Sequence, residues 1–260
     1  MSVDVHYTVD GPEDGPVVVL SGSLGSRLDM WDPQMAGLTG QFRVVRYDLR
    51  GHGSSPVPPA PYTMADLGSD VLRLLDRLKV ERAHFAGLSI GGMTGMWLAA
   101  NAPERIDRLA LLCTSATPPG TPEAWEERIR TVRTQGTAAI APTVVSRWFT
   151  PAYAERDPET VSLFIDMIAN TPDEGYVGCC NAIQTMDLLP GLPSITAPTL
   201  VVAGKLDPTS PPEHAELIAS RIPNARMEVI PDAAHLASWE QATFVNELLL
   251  DHFGRSSAAA

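Results

Sequence analysis

Ala83-His84-Phe85-Ala86-Gly87-Leu88-Ser89-Ile90-Gly91-Gly92-Met93 joins three kinds of local structure in eleven residues. The apolar run 83–86 reads as a buried strand. Gly87-Leu88-Ser89-Ile90-Gly91 reads as a sharp turn, and residues 92–100 carry a helix-forming run. Strand, Gly-x-Ser-x-Gly, helix is the context of a nucleophile elbow. The chain must reverse within a few residues, which strains the backbone at Ser89. Gly87 and Gly91 lack a Cβ, so strand and helix can approach closely around the turn. The turn lifts the Ser89 hydroxyl off the end of a sheet and aims the free N–H groups of a helix at whatever Ser89 attacks.

Outward from the elbow, the pattern is strand–helix alternation. Strands are expected at residues 3–9, 16–20, 42–47, 106–113, 198–204 and 226–230, several of them continuous apolar runs typical of buried parallel strands. Helices are expected at 63–78, 212–221 and about 240–253. Leu67, Val71, Leu74, Leu75 and Leu78 fall on one face of the first of these. Alternation of this kind predicts an α/β fold with a mostly parallel central sheet and helices on both faces. It breaks between 117 and 193, where helical patches carry Trp125, Trp148, Phe149, Tyr153, Phe164, Met167 and Met186, punctuated by proline. That stretch reads as a helical cap over the edge bearing Ser89. The expected division is therefore 1–116 core, 117–193 cap, 194–254 core again and a disordered tail at 255–260.

Two later loops follow strand ends on the same edge: Gly204-Lys205-Leu206-Asp207-Pro208 and Pro231-Asp232-Ala233-Ala234-His235. The order Ser89, Asp207, His235 matches the Ser…Asp…His order of one large class of serine hydrolases. Serine is a weak nucleophile until a base takes its proton. His235 is the candidate base, and Asp207 the group that orients its imidazole. Asp232 is the alternative acid, disfavoured because it lies only three residues from His235. The Gly-rich loop Ser21-Gly22-Ser23-Leu24-Gly25-Ser26 follows a central strand, so the N–H groups of Ser23 and Ile90 are the candidate oxyanion donors. His52 and His84 read as structural, and His6, His214 and His252 as surface residues.

The 260 residues are 44% hydrophobic and 19% charged, with a formal net charge of −12. The balance suits a globular core, and its sign makes nucleic acid and anionic membrane poor partners. Three cysteines provide no disulfide framework. Residues 1–6 lack a basic and apolar leader pattern, and no apolar run approaches membrane-spanning length, so a cytoplasmic protein, monomer or small homo-oligomer, is expected.

In these segments the chain resembles the α/β-hydrolase superfamily, and within it the 3-oxoadipate enol-lactonases of the β-ketoadipate pathway of aromatic-compound catabolism. The resemblance rests on Leu20-Ser21-Gly22-Ser23-Leu24-Gly25-Ser26 with Met30-Trp31-Asp32-Pro33-Gln34, and on Arg46-Tyr47-Asp48-Leu49-Arg50-Gly51-His52-Gly53-Ser54-Ser55. The elbow and Arg147-Trp148-Phe149-Thr150-Pro151 complete it. Gly22, where Asn is usual, and Leu206, where a polar residue is usual, are departures. The resemblance implies the α/β-hydrolase fold and opening of a small anionic lactone without a metal or organic cofactor. It implies Leu24, Trp148 and Arg147 as substrate contacts, with Arg128, Arg130 or Arg133 as alternative cations for a substrate carboxylate. A broad carboxylesterase or cofactor-free perhydrolase would share the triad. A hydrolase-like ligand receptor is the expectation from a different class.

Overall fold

The structure is a computed structural model that describes residues 1–254; the tail at 255–260, read as disordered, lies outside the described residues. Seven strands form one sheet: β1 (Tyr7–Asp10), β2 (Val17–Ser21), β3 (Arg43–Tyr47), β4 (Ala83–Leu88), β5 (Ile106–Leu112), β6 (Thr199–Gly204) and β7 (Ala225–Ile230). Their order is β1-β3-β2-β4-β5-β6-β7. Only β1 runs antiparallel, against β3; all other pairs are parallel. Burial explains the apolar runs: every residue of β4 and β6 is buried, whereas the edge strands β1 and β7 are largely half-exposed.

The helices are α1 (Asp32–Leu38), α2 (Met64–Arg77), α3 (Ile90–Asn101), α4 (Pro122–Gln135), α5 (Ala141–Val145), α6 (Pro151–Arg156), α7 (Pro158–Ala169), α8 (Asp173–Gln184), α9 (Pro212–Arg221), α10 (Ala237–Glu240) and α11 (Ala242–Gly254). Helix α2 starts at a capping box. The Thr63 hydroxyl accepts from the Asp66 N–H, and the Asp66 carboxylate accepts from the Thr63 N–H, each at 3.1 Å. Its buried face holds Leu67, Val71, Leu74 and Leu75 as expected, but also Asp70. Asp70 meets the buried Arg50 guanidinium at 2.6 and 2.7 Å, so the charge on that face is paired. Leu78, assigned to the same face, lies just past the helix and is half-buried.

Several boundaries differ from expectation for local reasons. The first strand begins at Tyr7, because that is where pairing with Tyr47 starts. Helix α3 begins directly after Ser89, two residues early, so the turn is tighter than the pattern suggested. The last helix is two pieces: the backbone breaks at Gln241 (φ −127°, ψ 47°) between α10 and α11. His252, expected at the surface, is buried on α11 and its Nε2 lies 3.0 Å from the Leu109 carbonyl. Burial holds it well below its ordinary pKa, at about 4.

Between β5 and β6 the described elements are helices and short 3-10 turns. Helices α7 and α8 lie over the loop after β2. Ile168 and Tyr176 pack against Gly25, and the Thr171 hydroxyl reaches the Gly25 carbonyl. Among the described residues no helix is long and apolar enough to cross a membrane.

Candidate active site

Ser89, Asp207 and His235 all follow the C-terminal ends of strands on one edge of the sheet. Ser89 sits between β4 and α3 with φ 57° and ψ −119°. That conformation is costly for a residue with a Cβ and persists only where its surroundings enforce it. They do so here through three hydrogen bonds and two close backbone approaches. The Ser89 N–H donates to Leu112 O (3.0 Å), and the Ser89 carbonyl accepts from Met93 N–H (3.0 Å) and the Thr114 hydroxyl (2.7 Å). A Cβ on Gly87 would lie 2.2 Å from the Gly91 backbone, and one on Gly91 would lie 2.2 Å from Ser21 O. The elbow therefore closes against both its own helix and the end of β2.

His235 Nδ1 and Asp207 Oδ2 are 2.8 Å apart, both side chains almost fully buried. The other Asp207 oxygen accepts from Thr209 N–H (2.7 Å) and Ser210 N–H (3.0 Å). Burial alone would raise the Asp207 carboxyl. The His235 charge and hydrogen bond, with the two amides, outweigh it and hold the group below the ordinary carboxylate range. Asp207 is thus anionic and fixed, and with Nδ1 donating to it, His235 carries its lone pair on Nε2. Asp232, the alternative acid, is exposed, and its carbonyl accepts from Gln241. His84, read as structural, packs in β4, stacked on Phe253 at 5.1 Å.

The oxyanion loop departs from expectation. The Ser23 N–H is not free: it donates to Met30 Sδ at 3.0 Å. Gly25 N–H donates to His52 Nε2 (2.9 Å), and Ser26 N–H to Ser23 O (3.1 Å). Among the described residues this leaves the Leu24 N–H without an acceptor. Leu24, expected only as a substrate contact, thus also has an N–H open to a ligand. Gly22 has a physical reason too, since a Cβ there would lie 2.8 Å from both Met30 Sδ and Ser26 Oγ. His52 is structural in a specific sense. With Nδ1 facing Arg50 O (3.1 Å) it accepts the Gly25 N–H through Nε2, and burial holds it neutral with a pKa of about 4.

Trp148 and Leu24 are buried. The Trp148 ring centroid lies 6.1 Å from that of His235 and 5.8 Å from Phe164, giving the imidazole an aromatic wall. Arg147 is exposed and turns toward a cleft of about 130 Å³ shared with Arg128, Trp125, Pro208 and Thr209. Arg128 lies over the Trp125 ring at 4.8 Å and is only half-exposed. Beside it the Tyr176 hydroxyl is buried without a partner of good geometry, although the Arg128 charge eases the burial that pushes its phenol up. Arg130, on the same helix, is exposed and pairs with Glu127; Arg133 is exposed. Ser89 itself is 8% exposed, so a substrate reaches it only through the helices above. Cys113, behind the site, is buried and its thiol is pushed up, which makes it inert. Among the described residues no group of three or more His, Cys, Asp and Glu side chains is placed to hold a metal.

A parallel sheet with a strained serine on an elbow and a histidine–aspartate pair two loops away defines the class. The chain belongs to the α/β-hydrolase fold family, whose model matches residues 15–147 and 151–242, and it is a hydrolase of that family. It is 38% identical to 3-oxoadipate enol-lactonase 2 of Acinetobacter baylyi, over 94% of this chain and 91% of that one. Among solved structures it resembles the enol-lactonase from Burkholderia xenovorans (TM-score 0.94, 43% identity, 96% of each chain). It also resembles a thermophilic esterase from Thermogutta terrifontis with malate bound (TM-score 0.91, 31% identity, 97% of this chain and 93% of that one).

Proposed function

We propose that the protein is a serine hydrolase that opens a small anionic lactone, 3-oxoadipate enol-lactone to 3-oxoadipate, in cytoplasmic aromatic catabolism and without a cofactor. The observation that carries the serine chemistry is the 2.8 Å His235–Asp207 bond on the same sheet edge as the strained Ser89. Ser89 Oγ attacks the ring carbonyl carbon as its proton passes to His235 Nε2. The carbonyl oxygen becomes an oxyanion held by the Ile90 and Leu24 N–H groups. The tetrahedral centre collapses and the ring C–O bond breaks. The ring oxygen takes the proton from His235 and leaves as an enol, still tethered through the acyl chain, and tautomerises to a ketone. Water, deprotonated by His235, then attacks the acyl-enzyme and releases the dicarboxylate, returning the proton to Ser89.

The substrate rests on different support. Two relatives named as enol-lactonases align over nearly the whole chain. The malate of the esterase is also a small dicarboxylate. In this chain the Arg128–Arg147 cleft, beside the Asp207 loop, offers cations to a substrate carboxylate, and Trp148 offers an apolar face to the ring. Steady-state assay on 3-oxoadipate enol-lactone beside a neutral p-nitrophenyl ester tests the reading. A kcat/KM at least tenfold higher for the lactone is expected. Preference for the neutral ester would make the protein a broad carboxylesterase, and single-turnover behaviour on both would favour a ligand receptor.

A further inference from the structure

Glu240 is the last residue of α10, a carboxylate only 7% exposed, and it has no lysine or arginine partner among the described ion pairs. Its two oxygens accept from three donors, one on the nearby His235 loop and two on the distant Thr150. Oε1 accepts from the Ala234 N–H at 2.7 Å. Oε2 accepts from the Thr150 N–H at 3.1 Å and the Thr150 hydroxyl at 2.6 Å. Ala234 immediately precedes His235. On the other side of the histidine, the Leu236 N–H donates to the Trp148 carbonyl at 2.9 Å. Both residues flanking His235 are thus tied, directly or through one carboxylate, to residues 148–150, the segment that also puts the Trp148 ring beside the imidazole. An ionised carboxylate is acceptor-only, with enough lone pairs for all three donors, and charge-assisted bonds of this kind are the strong ones. Helix α10 is itself braced, with Glu240 N–H on Leu236 O at 3.0 Å.

We propose that Glu240 is a positioning residue: it clamps the His235 loop to the 148–150 segment, so that the base and the aromatic wall of the pocket are held as one unit. The inference rests on the reading of His235 as the base. Glu240→Gln keeps the shape of the side chain but offers one oxygen and one NH2. The NH2 must then face either the Ala234 N–H or the Thr150 donors, and one end of the clamp opens.

The experiment counts sites before measuring rates. Fluorophosphonate labelling, run to completion, gives the fraction of molecules with a competent Ser89. Turnover of the neutral p-nitrophenyl ester is then expressed per labelled site. Glu240→Gln is expected to label to the wild-type stoichiometry while kcat per site falls on the order of ten- to hundredfold, the range that small misplacement of a catalytic group produces. KM should change less than kcat. A kcat per site within twofold of wild type, or a loss accounted for wholly by missing sites, would overturn the proposal and leave Glu240 merely structural. If that variant is insoluble, Thr150→Ala removes one donor and leaves Oε1 on Ala234; a severalfold drop in kcat per site is expected, and no drop overturns the proposal. His235→Ala run alongside separates the two readings. An active His235→Ala sinks the base assignment itself, whereas an inactive one beside an unchanged Glu240→Gln sinks only the clamp.

Discussion

At Ser89 the positive φ and the three hydrogen bonds that hold its backbone make the serine hydroxyl the group whose removal should matter most. Ser89→Ala is expected to abolish turnover without loss of thermal stability, because alanine keeps the Cβ and every backbone hydrogen bond of the elbow; near-wild-type activity would remove it as nucleophile. Asp207→Asn should lower kcat by about 10⁴, since the amide cannot hold His235 in the tautomer that leaves Nε2 free. Asp232→Asn should cost little, and kinetics in the reverse order would make Asp232 the acid. Met30 is a less obvious target. Its buried thioether accepts the Ser23 N–H and shares the Ser26 hydroxyl proton with Ser23 O. Met30→Leu keeps the volume and strands a buried donor, a defect worth about 1–3 kcal/mol. If the loop turns to rescue Ser23 at the expense of the Leu24 N–H, kcat should fall by on the order of tenfold or more, within the range of a lost oxyanion donor. Unchanged kcat would mean the sulfur does not hold the loop. The positions of Ser89, Asp207 and His235 on one sheet edge could be read from sequence because each follows a strand of recognisable pattern. The commitment of the Ser23 N–H could not. It depends on where Met30 Sδ sits, and a methionine seven residues downstream carries no mark of being an acceptor.

The elements themselves were legible where burial imposes a single period. All-buried β4 and β6 appear as mainly apolar runs, and α2 as a leucine stripe. What escaped were groups whose partners arrive from elsewhere in the chain. Asp70 lies on a leucine face because Arg50 meets it, His252 is buried because Leu109 O receives it, and Glu240 is buried because Ala234 and Thr150 surround it. Polar side chains look alike in sequence whether such partners exist or not. The contact between the helical region and the sheet's loops depends on a similar long-range fit. Gly51 (φ +74°) approaches Gly175 at the start of α8 so closely that a Cβ would lie 2.3 Å from the Gly175 Cα. The obstacle is backbone on both sides, so no side-chain rotation relieves it. Gly51→Ala should therefore cost several kcal/mol, or on the order of 5–10 °C in Tm for a domain of this size. Differential scanning calorimetry checks it, and an unchanged Tm would mean α8 is not seated on the Gly51 loop.

Over the whole molecule, two kinds of charge set the response to solution conditions. The first is buried neutral histidine. His52 and His252 have pKa values of about 4 in the fold against an ordinary 6.5. The unfolded chain binds protons first as pH falls, so their contribution to stability is complete above about pH 6.5 and is lost progressively down to about pH 4. Tm should fall steadily between pH 7 and pH 5, and His252→Gln should flatten that slope; a slope identical to wild type would take His252 out of the account. The second is the net charge of −12, which repels an anionic lactone at long range. Against that field stand Arg128 and Arg147 at one cleft. Arg147 is exposed, so solvent screens it and its pairing with a carboxylate is worth little. Arg128 is half-buried over Trp125, beside the buried Tyr176 hydroxyl, where a charged hydrogen bond keeps more of its roughly 1.5–3 kcal/mol. Arg128→Ala should therefore raise KM for the anionic lactone by about one decade or more, and Arg147→Ala by only a few fold. Neither should move KM for a neutral ester of similar size, which gains nothing from a cation. Added salt should shrink the Arg147 effect first, since screening acts within about 10 Å at 0.1 M and reaches exposed groups most easily. Equal changes on both substrates would mean the arginines shape the cleft rather than bind charge. A larger effect from Arg147 than from Arg128 would place the carboxylate at the cleft's outer rim, where the mouth and the binding site would be the same surface.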